Sequence, residues 1–193
     1  MLVFLAGPNG AGKSTFFRHF LEDTKVHFVN GDVVAAKLRS LRSRGSDAEI
    51  DALAFRATQA RREALLAARA SFCTESVFSD PVGAKLDFLR RAGAEGYAVF
   101  LVFVGLAGPA LSMARVMQRV EEGGHDVPDE KLKARYPRTM ANLEKAIPLV
   151  EMAFLFDNSD ADHPFRAVAV YQRGRVVERF EPSPAWAARL RGL

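Results

Sequence analysis

The chain lacks several features that would assign a protein to a class at once. Its only cysteine is Cys73, so no internal disulfide can form, and we expect a small buried side chain in a reducing compartment. No apolar run reaches the roughly 18 to 20 residues that a membrane span needs. No basic segment precedes the apolar N-terminal residues, as a secretory signal would require. These absences predict a cytoplasmic protein without membrane contact.

The chain also lacks a large excess of positive or negative charge. The 193 residues include 27 Lys and Arg against 23 Asp and Glu, a net charge of +4. This excess suits a site for a polyanion such as a nucleotide but is too small to argue for a nucleic-acid partner, which we consider the less favoured partner. The length and the ordinary apolar content predict one domain, residues 1–193, around a single core.

Short apolar runs alternate with longer helical patterns, which predicts an α/β fold with a mainly parallel sheet flanked by helices. The tail from 165 to 180 predicts a C-terminal β-hairpin, and the Gly-, Pro- and charge-rich segment 119–138 predicts a flap over the site. Strands are expected near 2–6, 26–29, 72–75, 97–104 and 152–156, and helices near 13–21, 33–43, 47–70, 82–92, 109–121, 130–146 and 184–191.

The sequence GPNGAGKST, residues 7–15, matches the phosphate-binding loop GxxxxGK[ST] between a strand and a helix. The glycines allow a tight curl whose N–H groups face a phosphate, at the positive end of the following helix. Lys13 is predicted to reach the β- and γ-phosphates and Ser14 to bind Mg²⁺. The predicted ATP-binding residues of this loop are Gly7, Pro8, Asn9, Gly10, Ala11, Gly12, Lys13, Ser14 and Thr15.

The same loop sequence occurs in the ATPases of ABC transporters, so that class of protein has to be considered. Those domains are longer, carry an LSGGQ-type signature and have an acidic pair after a hydrophobic strand. Here the strand near 97–104 is followed by VGLAG without a carboxylate. The sequence therefore disfavours a transporter motor.

Polar residues follow the second and third predicted strands. Asn30 and Asp32 come after VHFV, and Glu75 and Ser76 end SFCTES, so all four are expected at the carboxyl edge of the sheet, where ligands bind. Asp32 could take the proton of an attacking hydroxyl or simply cap the next helix. Glu75 could orient the acceptor or hold a Mg²⁺-bound water. Asn30, Glu75 and Ser76 are assigned to the substrate side.

The arginines Arg115, Arg119, Arg135 and Arg138 border the flap. A guanidinium delivered there would stabilise the charge of a transferring phosphoryl group, although most arginines of any protein are solvated surface residues. Arg119 and Arg135 are predicted to be catalytic. His125, in GGHDVP, could contact a ligand or fold the loop.

Taken together, GPNGAGKST, FVNGD, TESVFS and the block from RVEEGGHDVP through RYPR to DNS (119–159) resemble the zeta-toxin family of P-loop kinases. The resemblance covers residues 2 to about 159. It implies a three-layer P-loop NTPase fold with a kinase-like lid, and a cofactor pair of ATP and Mg²⁺.

The resemblance also implies roles for residues. The family base matches Asp32, and the substrate-side acid matches Glu75. The phosphate-clamping arginines match Arg119 and Arg135 best, with Arg138 as a near substitute that is otherwise assigned to the substrate side. Asn158, in DNS, is assigned to the nucleotide.

Known zeta toxins phosphorylate UDP-N-acetylglucosamine and are restrained by small antitoxins. The resemblance therefore implies a kinase of a small hydroxyl-bearing metabolite, with a UDP-N-acetyl amino sugar as the preferred acceptor and a small antitoxin protein as a possible partner. A nucleotide or nucleic-acid 5′-kinase is the alternative enzyme. A nucleotide-binding switch without transfer is the alternative from another class.

Overall fold

A computed structural model of the protein describes residues 1–41, 46–122 and 127–193. Within these ranges one sheet has the strand order β2-β3-β1-β4-β5-β6-β7. The first five strands in that order are parallel, and β6 and β7 extend the edge as the predicted antiparallel hairpin. The strands are β1 (Leu2–Ala6), β2 (His27–Val29), β3 (Phe72–Ser76), β4 (Val99–Gly105), β5 (Met152–Asp157), β6 (Arg166–Gln172) and β7 (Arg175–Arg179).

Six α-helices in the described residues match six of the seven expected ones. The sequence signals that locate them are the usual ones: Ser46 and Glu49 form a complete capping box at the start of the long third helix, and Pro109 opens the fifth. The helices are α1 (Lys13–Phe20), α2 (Gly31–Leu41), α3 (Asp47–Ala67), α4 (Ala84–Ala94), α5 (Pro109–Glu121) and α6 (Asp129–Ala146).

The sheet is covered on both faces, which gives the predicted three layers. Alternate residues of β1 supply two cores, because successive side chains of a strand point to opposite faces. Leu2 and Phe4 join a core with α3, α4 and α6, whereas Val3 and Leu5 pack with α1. The predicted α/β fold is therefore confirmed, and Cys73 is buried in the second core.

The expected helix at 184–191 is wrong. Only a 3₁₀ turn forms, Ala185–Ala187, followed by further short turns. Tertiary packing decides the conformation: the indole Nε1 of Trp186 donates to Asp157 Oδ1 at 2.8 Å, and Leu190 is buried in the core. These two anchors hold the segment against the sheet, and the left-handed Gly192 (φ 88°) follows.

The flap segment 119–138 is largely helical where it is described. Its first residues end α5, and residues 129–138 form the beginning of α6, in which Leu132 is only 2% exposed. The second half of the segment is therefore anchored to the protein. His125 lies outside the described residues.

Among the described residues, no helix combines the length and low polarity that a bilayer-spanning segment requires.

Gly105, the last residue of β4, lies under the Trp186 ring. A Cβ added there would be 2.4 Å from Trp186 Cζ2, so Gly105→Ala should displace the ring. We expect a loss of roughly 1–3 kcal/mol in the free energy of unfolding, measured by urea denaturation. Gly93→Ala is the matched control, because no atom lies within 4 Å of its added Cβ and it sits inside α4, where alanine is the better helix former. Equal effects of the two substitutions would contradict this account of the Trp186 contact.

Candidate active site

The phosphate-binding loop connects β1 to α1 and depends on two close approaches. Gly7 has a φ of 149°, and a Cβ there would lie 2.2 Å from the carbonyl oxygen of Val104. Gly12 has a φ of 86°, and its added Cβ would lie 2.7 Å from Asn158 Nδ2. Neither position can take a side chain without moving backbone or a buried amide, so the loop path requires both glycines.

The side chain of Lys13 lies inside this loop. It is 6% exposed, and its Nζ donates to the carbonyl of Pro8 at 3.0 Å. Glu75 Oε1 is 3.8 Å away. Burial lowers the pKa of Lys13, while Glu75 and then Asp32 act in the opposite direction. Lys13 is thus a buried cation inside the loop, and its contact with the phosphates stays a prediction.

Glu75, on β3, contacts the phosphate-binding loop, whereas the sequence analysis assigned it to the substrate side. Its Oε2 accepts hydrogen bonds from Ser14 Oγ at 2.8 Å and from Asn30 Nδ2 at 2.7 Å. The side chain is 10% exposed. Of the two roles left open by the sequence, these contacts favour holding the metal-bound water over orienting the acceptor hydroxyl.

The hydroxyl of Ser14 and the carboxylate of Glu75 suit Mg²⁺, which prefers oxygen ligands and usually takes few of them from the protein. Within the described ranges, no cluster of three or more His, Cys, Asp or Glu side chains forms a metal site. The pair of oxygen donors therefore fits a metal that is completed by nucleotide oxygens and water.

Asn30 caps α2, which the sequence did not anticipate. Its Oδ1 accepts from the backbone N–H of Asp32 at 2.7 Å and of Val33 at 3.4 Å, so the helix begins at Gly31 rather than near residue 33. Asp32 is thus not the cap. Its exposed carboxylate makes no hydrogen bond or ion pair within the described part of the chain, while its charge acts on both Lys13 and Arg135.

Ser76 and the turn after it are held by backbone contacts. Ser76 is 7% exposed, and its Oγ accepts from the backbone N–H of Phe78 at 3.0 Å. Helix α6 fixes the same turn, since Thr139 Oγ1 donates to the carbonyl of Val77 at 2.9 Å and Asn142 Nδ2 to that of Phe78 at 2.9 Å. Ser76 therefore shapes the strand end through a hydrogen bond within the protein.

The four arginines differ in their surroundings. A Cβ on Gly10 would lie 3.0 Å from Arg115 Cβ, so Arg115 sits directly against the phosphate loop. Arg119 is close enough to Lys13 to lower the pKa of that amine. Burial, then the charge of Arg138, lowers the pKa of Arg135, and Asp32 opposes this. Arg138 itself is exposed.

Asn158 supports the loop from behind. It is 7% exposed, its Nδ2 donates to the carbonyl of Ala11 at 2.9 Å, and its Oδ1 accepts from the backbone N–H of Phe165. Ser112 does the same on the other side, donating to the carbonyl of Asn9 at 2.6 Å. The contacts of Asn158 are therefore those of a residue that positions the loop, whereas the sequence assigned it to the nucleotide.

Two cations at the site were missed by the sequence analysis. Arg62, on α3, is 9% exposed and donates through Nε to Thr74 Oγ1 at 2.7 Å and through a terminal nitrogen to the carbonyl of Glu75 at 3.2 Å. Lys85, in the first turn of α4, is partly buried beside it. Neither lies in a recognisable motif, so only the three-dimensional arrangement brings them to the strand end.

An apolar cavity of about 390 Å³ lies on the other side of α1, lined by residues such as Phe16, Phe20, Val102 and Phe154. It presents no charged side chain. We therefore place the phosphate site at the loop and not in this cavity.

The fold and the loop define a P-loop nucleotide-binding domain with the architecture of P-loop kinases. A family model described as "AAA domain" matches residues 2–138, and the chain belongs to that family. An uncharacterized protein from Haemophilus influenzae is 27% identical over 140 residues, which are 69% of this chain and 91% of that protein.

Several solved structures share the fold at low identity. The AvrRxo1-ORF1:AvrRxo1-ORF2 complex with sulphate ions has a TM-score of 0.73 at 18% identity, over 91% of this chain and 60% of that one. This chain is thus shorter than that relative. The PezAT chromosomal toxin-antitoxin system of Streptococcus pneumoniae gives 0.65 at 18% identity, over 88% and 71%. A putative kinase from Chloroflexus aurantiacus gives 0.55 at 16% identity, over 70% and 75%.

These likenesses confirm the P-loop kinase fold that the sequence resemblance implied. Membership of the zeta-toxin family in particular stays a prediction.

Burial, and next the charge of Arg62, lowers the pKa of Lys85 to about 8. Because the lowered value means that the folded state releases this proton first, Lys85 adds stability as pH rises from about 8 towards the unfolded pKa of about 10.4. We expect acetylation of the Lys85 amine, followed by mass spectrometry, to have a midpoint near pH 8. The same amine in the urea-unfolded protein should have a midpoint about two pH units higher. Coincident midpoints would contradict the lowered pKa.

Proposed function

We propose that this protein is an ATP-dependent phosphotransferase that moves the γ-phosphate of ATP to a hydroxyl of a small metabolite. The observation that carries the proposal is the position of Asp32. Its carboxylate is released from capping by Asn30, is exposed, and acts electrostatically on both Lys13 and Arg135. A protein that only binds a nucleotide has no use for an acid placed there.

In the proposed reaction the acceptor oxygen attacks the γ-phosphorus of ATP and its proton passes to Asp32. The new phosphorus–oxygen bond forms as the bond to the β-phosphate oxygen breaks, and ADP leaves. Lys13 and the N–H groups of the loop neutralise charge on the phosphates. Asp32 thus acts as the general base of the proposed reaction.

Magnesium would be held by Ser14 and, directly or through water, by Glu75. When bound, it would supply charge neutralisation between the β- and γ-phosphates. The hydrogen bond from Asn30 to Glu75 orients that carboxylate.

Arg119 and Arg135 are the proposed clamp on the transferred phosphoryl group, with Arg115 beside the loop as a nucleotide contact. They approach from α5 and α6, the two helices that border the flap. Their approach would add positive charge where negative charge spreads in the transition state and would exclude water, limiting ATP hydrolysis.

A UDP-N-acetyl amino sugar is the acceptor we propose, on the strength of the zeta-toxin resemblance. Incubation with ATP, with and without UDP-N-acetylglucosamine, tests it by mass shift. Product with a 5′-hydroxyl oligonucleotide instead would indicate a nucleic-acid kinase. ATP binding without transfer to any acceptor in a metabolite extract would indicate a switch.

We also propose the domain organisation, the cellular compartment and a protein partner. Residues 1–193 would act as a single catalytic domain, in the cytoplasm, where ATP is available. The likeness to PezAT, a toxin-antitoxin system, supports a small antitoxin protein as a partner.

Asp32→Asn should abolish phosphate transfer, since the amide cannot accept the proton, while ATP affinity stays within about threefold. The assay is product formation with ATP and UDP-N-acetylglucosamine, with affinity from calorimetry. Asp23→Asn, in the exposed 3₁₀ turn after α1, is the control and should behave as wild type. Undiminished transfer by the Asp32 variant would remove Asp32 as the base.

Arg119→Ala should lower kcat by about 10²-fold or more and ATP affinity much less, because its guanidinium is proposed to act mainly in the transition state. Steady-state kinetics and direct ATP binding separate the two effects. Equal losses in kcat and in ATP affinity would make Arg119 a ground-state phosphate contact instead.

A further inference from the structure

Arg62 and Lys85 are two cations at the site. The proposed phosphoryl transfer assigns a role to neither of them. They come from α3 and α4, not from the phosphate loop or the flap. Arg62 is buried and its acceptors are the hydroxyl of Thr74, the amide of Gln59 and the main chain of Glu75. No carboxylate neutralises it within the described part of the chain.

Lys85 stands at a fixed place in the first turn of α4. Its backbone N–H and that of Ala84 donate to the carboxylate of Asp80, at 3.3 and 2.9 Å, which fixes the start of the helix. In the described residues, no hydrogen bond or ion pair engages its ammonium group. The charged groups that act on it are Arg62, Arg135 and Lys13, against one acid, Asp80.

The surface that carries these cations is built rigidly. Asn142 donates to the carbonyls of Phe78 and Asp80, and Thr139 to that of Val77, so α6 holds the whole turn between β3 and α4. Arg135 lies one turn before Thr139 on α6 and therefore on the same face of that helix. The backbone segments from which Lys85 and Arg135 extend are thus fixed in the absence of a ligand.

Grouping partly buried cations is unfavourable unless an anion joins them, because each loses hydration and repels the others. The phosphates of ATP have their own partners in the loop and Lys13. We propose that Lys85, beside Arg62 and Arg135, forms a second anion subsite whose ammonium group binds a phosphate or carboxylate group of the acceptor. That the bound anion is part of a phosphate acceptor rests on the proposed kinase function, whereas the existence of the anion subsite does not.

This inference narrows the substrate to a hydroxyl compound that is itself negatively charged. Neutral sugars and alcohols would leave Lys85 without a partner. Arg62 would act as a positioning residue, because its donors hold the end of β3 on which Glu75 lies.

The binding test uses the full chain saturated with Mg²⁺ and the β,γ-imido analogue of ATP, so that the phosphate loop is filled. Titration with inorganic pyrophosphate, and separately with malonate, should show one further site by calorimetry. Tighter binding of pyrophosphate assigns the subsite to a phosphate group, and tighter binding of malonate assigns it to a carboxylate.

Lys85→Gln should weaken the preferred anion about tenfold or more, as expected when a charge-assisted contact is lost, and leave the ATP analogue within about twofold. Lys85→Arg should recover most of the affinity, and the exposed Lys145→Gln should have no effect. Absence of a second anion site, an unchanged affinity in Lys85→Gln, or a matching loss for the ATP analogue would each overturn the proposal.

A measurement on the unmodified protein guards against a variant that does not fold. With the ATP analogue bound, the preferred anion should slow acetylation of Lys85 about tenfold and leave Lys145 unchanged. Equal labelling with and without the anion would contradict the subsite. If the anion binds as expected but no acceptor receives phosphate, the kinase proposal fails while the subsite stands.

Discussion

One carboxylate holds the candidate site together. Glu75 accepts hydrogen bonds from Ser14 and Asn30 and lies 3.8 Å from the ammonium of Lys13, so the phosphate loop, β2 and β3 meet at a single side chain. Because this side chain is largely buried, its contacts are stronger than at a surface and leave little freedom to the groups around it. The orientation of the loop lysine, the start of α2 and the end of β3 are consequently linked.

The same contact explains why Asp32 is available for chemistry. Asn30 uses its amide nitrogen on Glu75 and its amide oxygen on the N–H groups that begin α2, so both ends of one side chain are satisfied. A cap is needed at that helix start, and Asp32 would otherwise be a suitable one. Because Asn30 caps the helix, the carboxylate of Asp32 is not used as a cap. It lies near the positive charges of Lys13 and Arg135.

Periodicity and motif gave most of the architecture: the apolar runs located the parallel strands, and GPNGAGKST placed Lys13 and Ser14. Local signals failed where distant contacts decide. Residues 184–191 have helical composition, but burial of Trp186 against Gly105 and Asp157 prevents a helix. Likewise the hydrogen bond from Asn158 to the loop carbonyl of Ala11 is a distant contact that no local signal predicts. Arg62 and Lys85 carry no motif at all, since their meeting depends on the packing of α3 and α4 around β3.

The supports of the phosphate loop have a consequence for the order in which the protein can form. Asn9 is held by Ser112, 103 positions later, and Ala11 by Asn158, 147 positions later. Synthesis must therefore proceed well past the loop before the loop acquires either contact. Until then β1 and the loop exist without their braces, and the nascent chain should have no settled nucleotide pocket. Nucleotide capture thus comes long after the synthesis of its own motif.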